Sequence, residues 1–423
     1  MKNKVKLAVG TGGSLAVDSC QSCGNNKLHS VLFLGYLPPV NKLTKIDSTP
    51  QEQPSYPAQL LYCKKCHLAQ LGLIVDPNIL FPPEYPYTSG TTKVLRDNFA
   101  DLYEESSRML KLKKDDLIVD IGSNDGTLLK NFSQNHKVLG ITPEEIGKLA
   151  IKNGVPTVID YFTPKVASDV KQKHGSARVI TAANVFAHME DVHGIIEAIK
   201  SLLDRDGVFI SESHYLLPLI QDLQYDTIYH EHMRYYSVVS LKNLLKQHDL
   251  EIFHTKEIPS HGGSIRVYAA RKGLYKLDTS VKKQLAKERK VVTGEKAFKK
   301  FAQDVTLSKL ALSKLIHKLK KDKKIIYGVS APSRASTLIN YTGLDSDILS
   351  SVVEIKGSYK IGYQIPGTII PIVDEKELFA NQPDYALILS WHIADELMPK
   401  LRTMGFKGKF IVPLPKPRII SKA

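Results

Sequence analysis

Leu117-Ile118-Val119-Asp120-Ile121-Gly122-Ser123-Asn124-Asp125-Gly126 decides how this chain folds. A run of branched aliphatic residues ends in a glycine turn, the pattern of a buried strand that brings its backbone close to a ligand. The helix expected after the turn offers its N-terminal amides to the same place. Outward from this stretch, Val138 to Ile141 reads as a second strand, Ala177 to Thr181 as a third and Val208 to Ser211 as a fourth. A helix from His193 to Leu203, closed by Asp206-Gly207, separates the last two. Strands alternating with helices imply a parallel sheet covered on both faces.

The alternation restarts downstream. Lys324 to Gly328, Ser350 to Val353, Tyr385 to Leu389 and Lys409 to Val412 read as strands, with helices at Ser336 to Tyr341 and Ile393 to Met404. Between the two α/β units, from Lys282 to Lys324, fifteen Lys and Arg face four Asp and Glu, which accounts for eleven of the net charge of +15. Phe298, Phe301, Val305, Leu312, Leu315 and Leu319 recur there at helical spacing, so the segment reads as a long amphipathic helix with a solvated lysine face. A basic chain invites a nucleic-acid partner, but one lysine-coated helix without interleaved aromatic residues is poorly suited to one, and none is expected. No apolar run is long enough to span a bilayer, and Met1 to Gly13 lacks a cleavage pattern. A cytoplasmic protein without membrane attachment, a monomer or weak homodimer, is expected.

All four cysteines lie before the glycine turn, as Cys20-x-x-Cys23 and Cys63-x-x-Cys66. Two such pairs provide the four thiolates of a tetrahedral structural zinc site. His67 is more simply a neighbour than a ligand. The stretch between the pairs, with Leu37-Pro38-Pro39 and Ser48-Thr49-Pro50, reads as loops held by metal. Three domains follow: a loop-rich zinc-binding domain over 14–85, a cofactor-binding domain over 86–275, and the basic helix with a C-terminal α/β domain over 276–423.

Asp120 before the first glycine and the Asn124-Asp125-Gly126 turn depart from a nicotinamide fingerprint. The pattern resembles the first motif of class I S-adenosylmethionine-dependent methyltransferases, although a tight βα turn of another α/β enzyme also suits it. The resemblance implies that Asp120, Gly122, Ser123, Asn124, Asp125 and Gly126 line the cofactor. Such enzymes usually end the second strand in an acid that pairs with the ribose hydroxyls. Here Thr142 stands at that place, so either Glu144 substitutes or ribose binding is weaker. Asp160 and Tyr161 fit an adenine contact, and Asn184 the methionine portion.

Tyr229-His230-Glu231-His232 is the densest titratable cluster; its histidines are too close in sequence for an H-E-x-x-H zinc site. Alone it suits acid/base machinery or a polar surface turn. With the double CxxC, the glycine motif, Ala183-Asn184-Val185-Phe186-Ala187-His188 and Ser260-His261-Gly262-Gly263-Ser264-Ile265-Arg266, it resembles the sugar C-methyltransferase family, which methylates carbon in nucleotide-linked 4-keto-deoxysugars. Resemblance runs from Cys20 nearly to the end. It implies an α/β chain with a central class I methyltransferase (Rossmann-like) domain, a small N-terminal zinc-binding domain and a second Rossmann-like domain. It also implies that His232 is the base, that Glu231 sets its tautomer, and that Tyr229, His188 and Tyr87 reach the substrate.

His261 and Arg266 are candidate substrate contacts, or the glycines beside them only bend a strand. In the last domain Tyr327, Arg334 and Trp391 are candidates for the nucleotide end. There Pro332 and Arg334 replace the family's Ala-Lys-Gly run, and Glu354 an expected Asp. Methylation of another small molecule, at oxygen for example, an inactive homologue and a zinc-containing nucleic-acid-binding protein are the alternative readings.

Overall fold

A computed structural model describes residues 13–47, 52–81 and 88–421. Leu117–Ile121 (β1) lies inside a seven-stranded sheet with Lys137–Thr142 (β2), Thr157–Ile159 (β3), Ala177–Ala183 (β4), Leu203–His214 (β5), Leu250–Ile258 (β6) and Ser264–Arg271 (β7). The order is β6-β7-β5-β4-β1-β2-β3. β7 runs antiparallel to both neighbours, and the pairings from β5 through β3 are parallel. Every residue of β1 is buried, which explains its unbroken apolar run. Ile118, Val179, Val208 and Ile210 pack with Leu95, Phe99, Leu128 and Phe132 from the helices Lys93–Leu110 and Thr127–Phe132. Val119, Ile180 and Phe209, one residue on, join a second core with Ile196 and Ile199 of the helix Val192–Leu202. β5 starts at Leu203, earlier than expected, because a register shift between Ala177 and Val179 takes up the Asp204 to Gly207 segment.

The zinc module is more ordered than its loop-like sequence suggests. Leu28–Leu37 and Tyr56–Cys63 pair antiparallel, and Ala69–Leu71 continues the sheet. Tyr56, Ala58, Leu60 and Tyr62 are buried while Pro57, Gln59 and Leu61 are less so, a period of two that identifies a one-sided strand. The fourth strand, Arg234–Tyr235, comes from the central α/β unit. The reading of this stretch as loops is therefore corrected: strands and an apolar core supplement the cysteines.

The basic segment is two helices, Thr279–Arg289 and Glu295–Lys321, broken ahead of Gly294. Phe298, Phe301, Val305, Leu312, Ile316 and Leu319 are buried, each worth about 1.5–3 kcal/mol relative to exposure. Leu315 is only half-buried, with Ile316 in the core position. The last unit is a six-stranded sheet in the order 372–374, 352–354, 326–329, 385–388, 409–412 and 418–420, parallel except for its last strand. Tyr363–Gln364 pairs with Thr44–Lys45, tying this unit to the zinc module. No helix among the described residues is long and apolar enough to cross a membrane.

Candidate active site

β1 lies between β4 and β2, where the strand order reverses, so the loops after β1 and β4 flank the crevice in which open α/β sheets bind ligands. Gly122 has φ +73°, and a Cβ there would fall 2.7 Å from Val185 Cγ2 of the opposite loop; only glycine closes this edge. The Thr181 hydroxyl donates to Asp120 Oδ1 at 2.6 Å, and burial pushes the Asp120 carboxyl up to about 7. Thr142 donates its hydroxyl to Glu144, so a carboxylate does stand at the end of β2. Burial and that carboxylate raise the neighbouring Tyr161 phenol, whose side chain is half exposed. Asp160 is exposed and accepts the Tyr161 amide at 2.7 Å. Asn184, at φ +58°, donates its backbone amide to the Glu212 carbonyl at 2.7 Å.

Asn124 and Asp125 spend side-chain oxygens on the incoming chain. Ser89 N–H donates to Asn124 Oδ1 at 2.9 Å and Gly90 N–H to Asp125 Oδ2 at 2.8 Å. Asp125 Oδ1 also accepts the Thr127 amide at 3.1 Å, at the start of the helix that Gly126 introduces. Their side chains thus anchor the segment that closes over the turn. Ser123 Oγ is buried without a hydrogen-bond partner among the described residues. An unsatisfied hydroxyl, a side-chain-free turn and the Glu144 carboxylate fit a hydroxyl-rich, positively charged cofactor.

The candidate reaction centre is a ring cluster drawn from several elements. His232 packs its ring 4.3 Å from Tyr229, 5.1 Å from His188 and 6.3 Å from His214, centre to centre. Phe81, at the end of the zinc module, lies 5.6 Å from His188. Tyr87 lies outside the described residues. His232 Nδ1 donates to the Thr227 carbonyl at 3.2 Å, which leaves Nε2 as the acceptor. Burial lowers His232 to about 4, with Arg334 and His261 adding to the shift, and holds His188 and His214 well below the usual histidine range. All three rings are therefore neutral at neutral pH. The His232 ring is thus a weaker proton acceptor than a free imidazole, but one that stays unprotonated at neutral pH.

Glu231 does not set the His232 tautomer, which corrects that expectation. The turn that bonds His232 N–H to the Tyr229 carbonyl separates the two side chains, and Glu231 Oε1 accepts from Asn41 Nδ2 at 2.8 Å. Asn41 in turn accepts from Ser333 Oγ at 2.9 Å, so this chain of bonds joins all three units. His230 is buried against Tyr56 of the zinc module.

Arg266 is fully buried, donating to Glu212 at 3.0 Å, Asp101 at 2.9 Å, Glu105 at 3.1 Å and Asn98 at 2.8 Å. Its guanidinium is saturated within the protein, so the expected substrate contact gives way to a structural role. Gly262 and Gly263, at φ +86° and +120°, turn beneath Gln224 and Pro218 with no room for a Cβ, which favours the strand-bend reading of the motif. His261 is exposed at φ +59°, and its carbonyl receives Arg334 Nη1 at 3.4 Å. Arg334 and Trp391 are also turned inward, onto Asp226, and Tyr327 packs against the C-terminal core.

His214 was not found from sequence, although a histidine at the C-terminal end of a buried strand was a usable signal. Gln224 donates from Nε2 to the Gly262 carbonyl at 2.6 Å, so its Oε1 receives His214 Nε2–H at 3.2 Å. His214 Nδ1 is left buried without a partner among the described residues. Asn41, Asp226 and Thr227 carried no local signal at all.

Cys20 and Cys66 sulfurs lie 3.3 Å apart, Cys23 and Cys63 sulfurs 3.6 Å, and all four within 4.8 Å of one another. Tetrahedral zinc with 2.3 Å bonds needs edges of roughly 3.8 Å, so the cage fits the ion. His67 Nδ1 is instead 2.6 Å from the Tyr62 hydroxyl, outside the cage.

A sheet of this order with a glycine crevice at its reversal point, fronted by a four-thiolate cage, defines a class I S-adenosylmethionine-dependent methyltransferase with a zinc-binding module. Comparison with known proteins agrees. Residues 20–81 match the family described as "Putative zinc binding domain", 94–255 "Methyltransferase domain" and 259–415 "C-methyltransferase C-terminal domain". C-methyltransferase NovU of Streptomyces niveus is 30% identical over 410 residues, 96% of this chain and 97% of that protein. The chain belongs to this C-methyltransferase family. Looser likenesses include a methyltransferase from Clostridium acetobutylicum (14% identity, 42% of this chain and 92% of that one, TM-score 0.33). Magnesium protoporphyrin IX methyltransferase from Synechocystis is another (15%, 42% and 84%, TM-score 0.33). Neither bears on function.

Proposed function

We propose that this enzyme methylates carbon next to the ketone of a nucleotide-activated 4-keto-deoxysugar, in the cytoplasm, for synthesis of a branched sugar. The observation that carries the reading is the His232 ring, held at Nδ1 by a backbone carbonyl with Nε2 open among Tyr229, His188 and His214. When bound, S-adenosylmethionine supplies an electrophilic methyl on a positively charged sulfur. Asp120, Gly122 and Ser123 would border it at the end of β1, with Glu144 on the ribose hydroxyls. His232 Nε2 takes the proton from the carbon beside the ketone, leaving an enolate. A base lowered to about 4 needs help, so most of the barrier must fall through stabilisation of the enolate oxygen. The Tyr229 hydroxyl, its ring 4.3 Å from that of His232, is the donor for that oxygen. His188 borders the sugar, and the buried, unpartnered Nδ1 of His214 is an acceptor for one of its hydroxyls. Arg334 is engaged by Asp226, so the nucleotide phosphates require other groups.

Incubation with a panel of nucleotide 4-keto-6-deoxysugars and S-adenosylmethionine should give a product heavier by one methylene unit. His232→Ala should abolish both methyl transfer and exchange of the ring proton with deuterium. Retained exchange would move the base elsewhere.

A further inference from the structure

Asp226 sits in the middle of the single turn Tyr225–Thr227 and is fully buried. Its carboxylate is gripped from the C-terminal unit. Arg334 donates from Nε to Oδ2 at 2.7 Å and from Nη2 to Oδ1 at 2.8 Å, and Trp391 Nε1 donates to Oδ2 at 2.7 Å. The guanidinium lies 5.0 Å from the centre of the Trp391 ring, so the two donors brace each other. Both come from the strand ends at the reversal point of the C-terminal sheet, where a free-standing α/β domain would bind a ligand of its own.

The next residue is the one that touches the base. Thr227 gives its carbonyl to His232 Nδ1 at 3.2 Å and its hydroxyl to the Gln224 carbonyl at 2.7 Å, while the Ile228 amide closes the turn on the Tyr225 carbonyl at 3.0 Å. Among the described residues, the hydrogen bond that orients His232 comes from this backbone carbonyl and not from a side chain. A catalytic imidazole normally takes its tautomer from a carboxylate or carbonyl on its other nitrogen, and here that carbonyl lies in a short turn fixed from outside by charge.

We propose that Asp226, clamped by Arg334 and Trp391, is a positioning residue for methyl transfer: the clamp fixes the Thr227 carbonyl, which keeps the His232 proton on Nδ1 and Nε2 open. The C-terminal unit thereby takes part in the chemistry through a turn of the methyltransferase unit. The catalytic half of this rests on His232 being the base, as proposed above; the tautomer half does not.

Nitrogen NMR of the full-length, histidine-labelled protein without ligand tests the clamp, with the His232 signals assigned by their loss in His232→Gln. The wild type should show one tautomer, protonated at Nδ1. Asp226→Asn and Trp391→Phe should shift population to the Nε2-protonated form. Trp391→Phe removes a single donor and keeps the ring, so it serves if Asp226→Asn fails to fold. The same variant should lower kcat about tenfold, the scale for losing a partner that orients a functional imidazole, with KM for the cofactor unchanged. A single Nδ1-protonated tautomer in Trp391→Phe with wild-type kcat would overturn the proposal. If His232→Ala retains proton exchange, the base assignment fails, while the tautomer measurement still decides the clamp.

Discussion

The cofactor crevice draws its groups from strand ends within one stretch of chain, Asp120 to Asn184, whereas the segment that carries His232 is held by residues as far apart as Asn41 and Trp391. Asn41 of the zinc module, His214 and Thr227 of the methyltransferase unit, and Arg334 and Trp391 of the C-terminal unit all bear on the segment from Gln224 to His232. A crevice made by one sheet should outlast the loosening of its neighbours. A reaction centre made at a junction exists only when all three units are docked. The two regions should therefore fail separately, and the zinc module is the place to separate them.

Removing zinc should give the largest effect. The cage anchors Tyr56–Cys63 and its neighbour Ala69–Leu71, and Ala69–Leu71 pairs with Arg234–Tyr235, two residues beyond His232. Free energy of structural zinc binding is largely folding free energy, so chelation should dissolve that sheet. Methyl transfer should fall more than about 100-fold while S-adenosylhomocysteine binding, read by calorimetry, changes only a fewfold. Equal loss of both would show that crevice and centre are one cooperative unit.

Acid should also strike the junction. Burial lowers His230, 1% exposed against Tyr56, to about 4, with the backbone of Pro57 and Tyr56 opposing only in part. Below the ordinary histidine value near 6.5 the unfolded chain takes up a proton that the folded chain refuses. This stability is therefore complete above that pH and is lost as pH falls through the folded value. His230 alone should cost about 3 kcal/mol by pH 4. Urea melts between pH 7 and pH 4 should flatten by about that amount in His230→Gln, whose side chain does not titrate. An unchanged slope would place the acid sensitivity in the His188, His214 and His232 rings instead.

The same contrast explains what the sequence could reveal. β1 and its glycine turn were legible because a buried parallel strand and a left-handed turn constrain neighbouring residues in the chain. The cysteine pairs were legible for the same reason: two ligands of each half-site sit three residues apart. Arg266 and Arg334 were misplaced because charge alone does not say which carboxylates the fold will bring up. Asp101, Glu105 and Glu212 close on one guanidinium and Asp226 on the other, across as many as 165 residues. Thr227 was invisible because it acts through a carbonyl, which every residue has. The strands of the zinc module are faint in the sequence because the alternation spans only eight residues, includes a proline and ends on a metal-ligand cysteine.

The smallest effect tests whether the crevice is as local as it looks. Thr142 cannot supply the charged contact that a ribose diol normally meets at the end of a second strand, and Glu144, two residues on, accepts a hydrogen bond from its hydroxyl. Glu144→Gln keeps the shape and an acceptor for Thr142 but removes the charge. The difference between a charge-assisted and a neutral hydrogen bond is about 1 kcal/mol, so KM for S-adenosylmethionine should rise roughly fivefold with kcat unchanged. Adding Thr142→Asp to that variant should recover most of the loss, since the carboxylate then stands on the strand itself. If KM ignores Glu144→Gln, the ribose is held from elsewhere, and the crevice too is assembled at a distance.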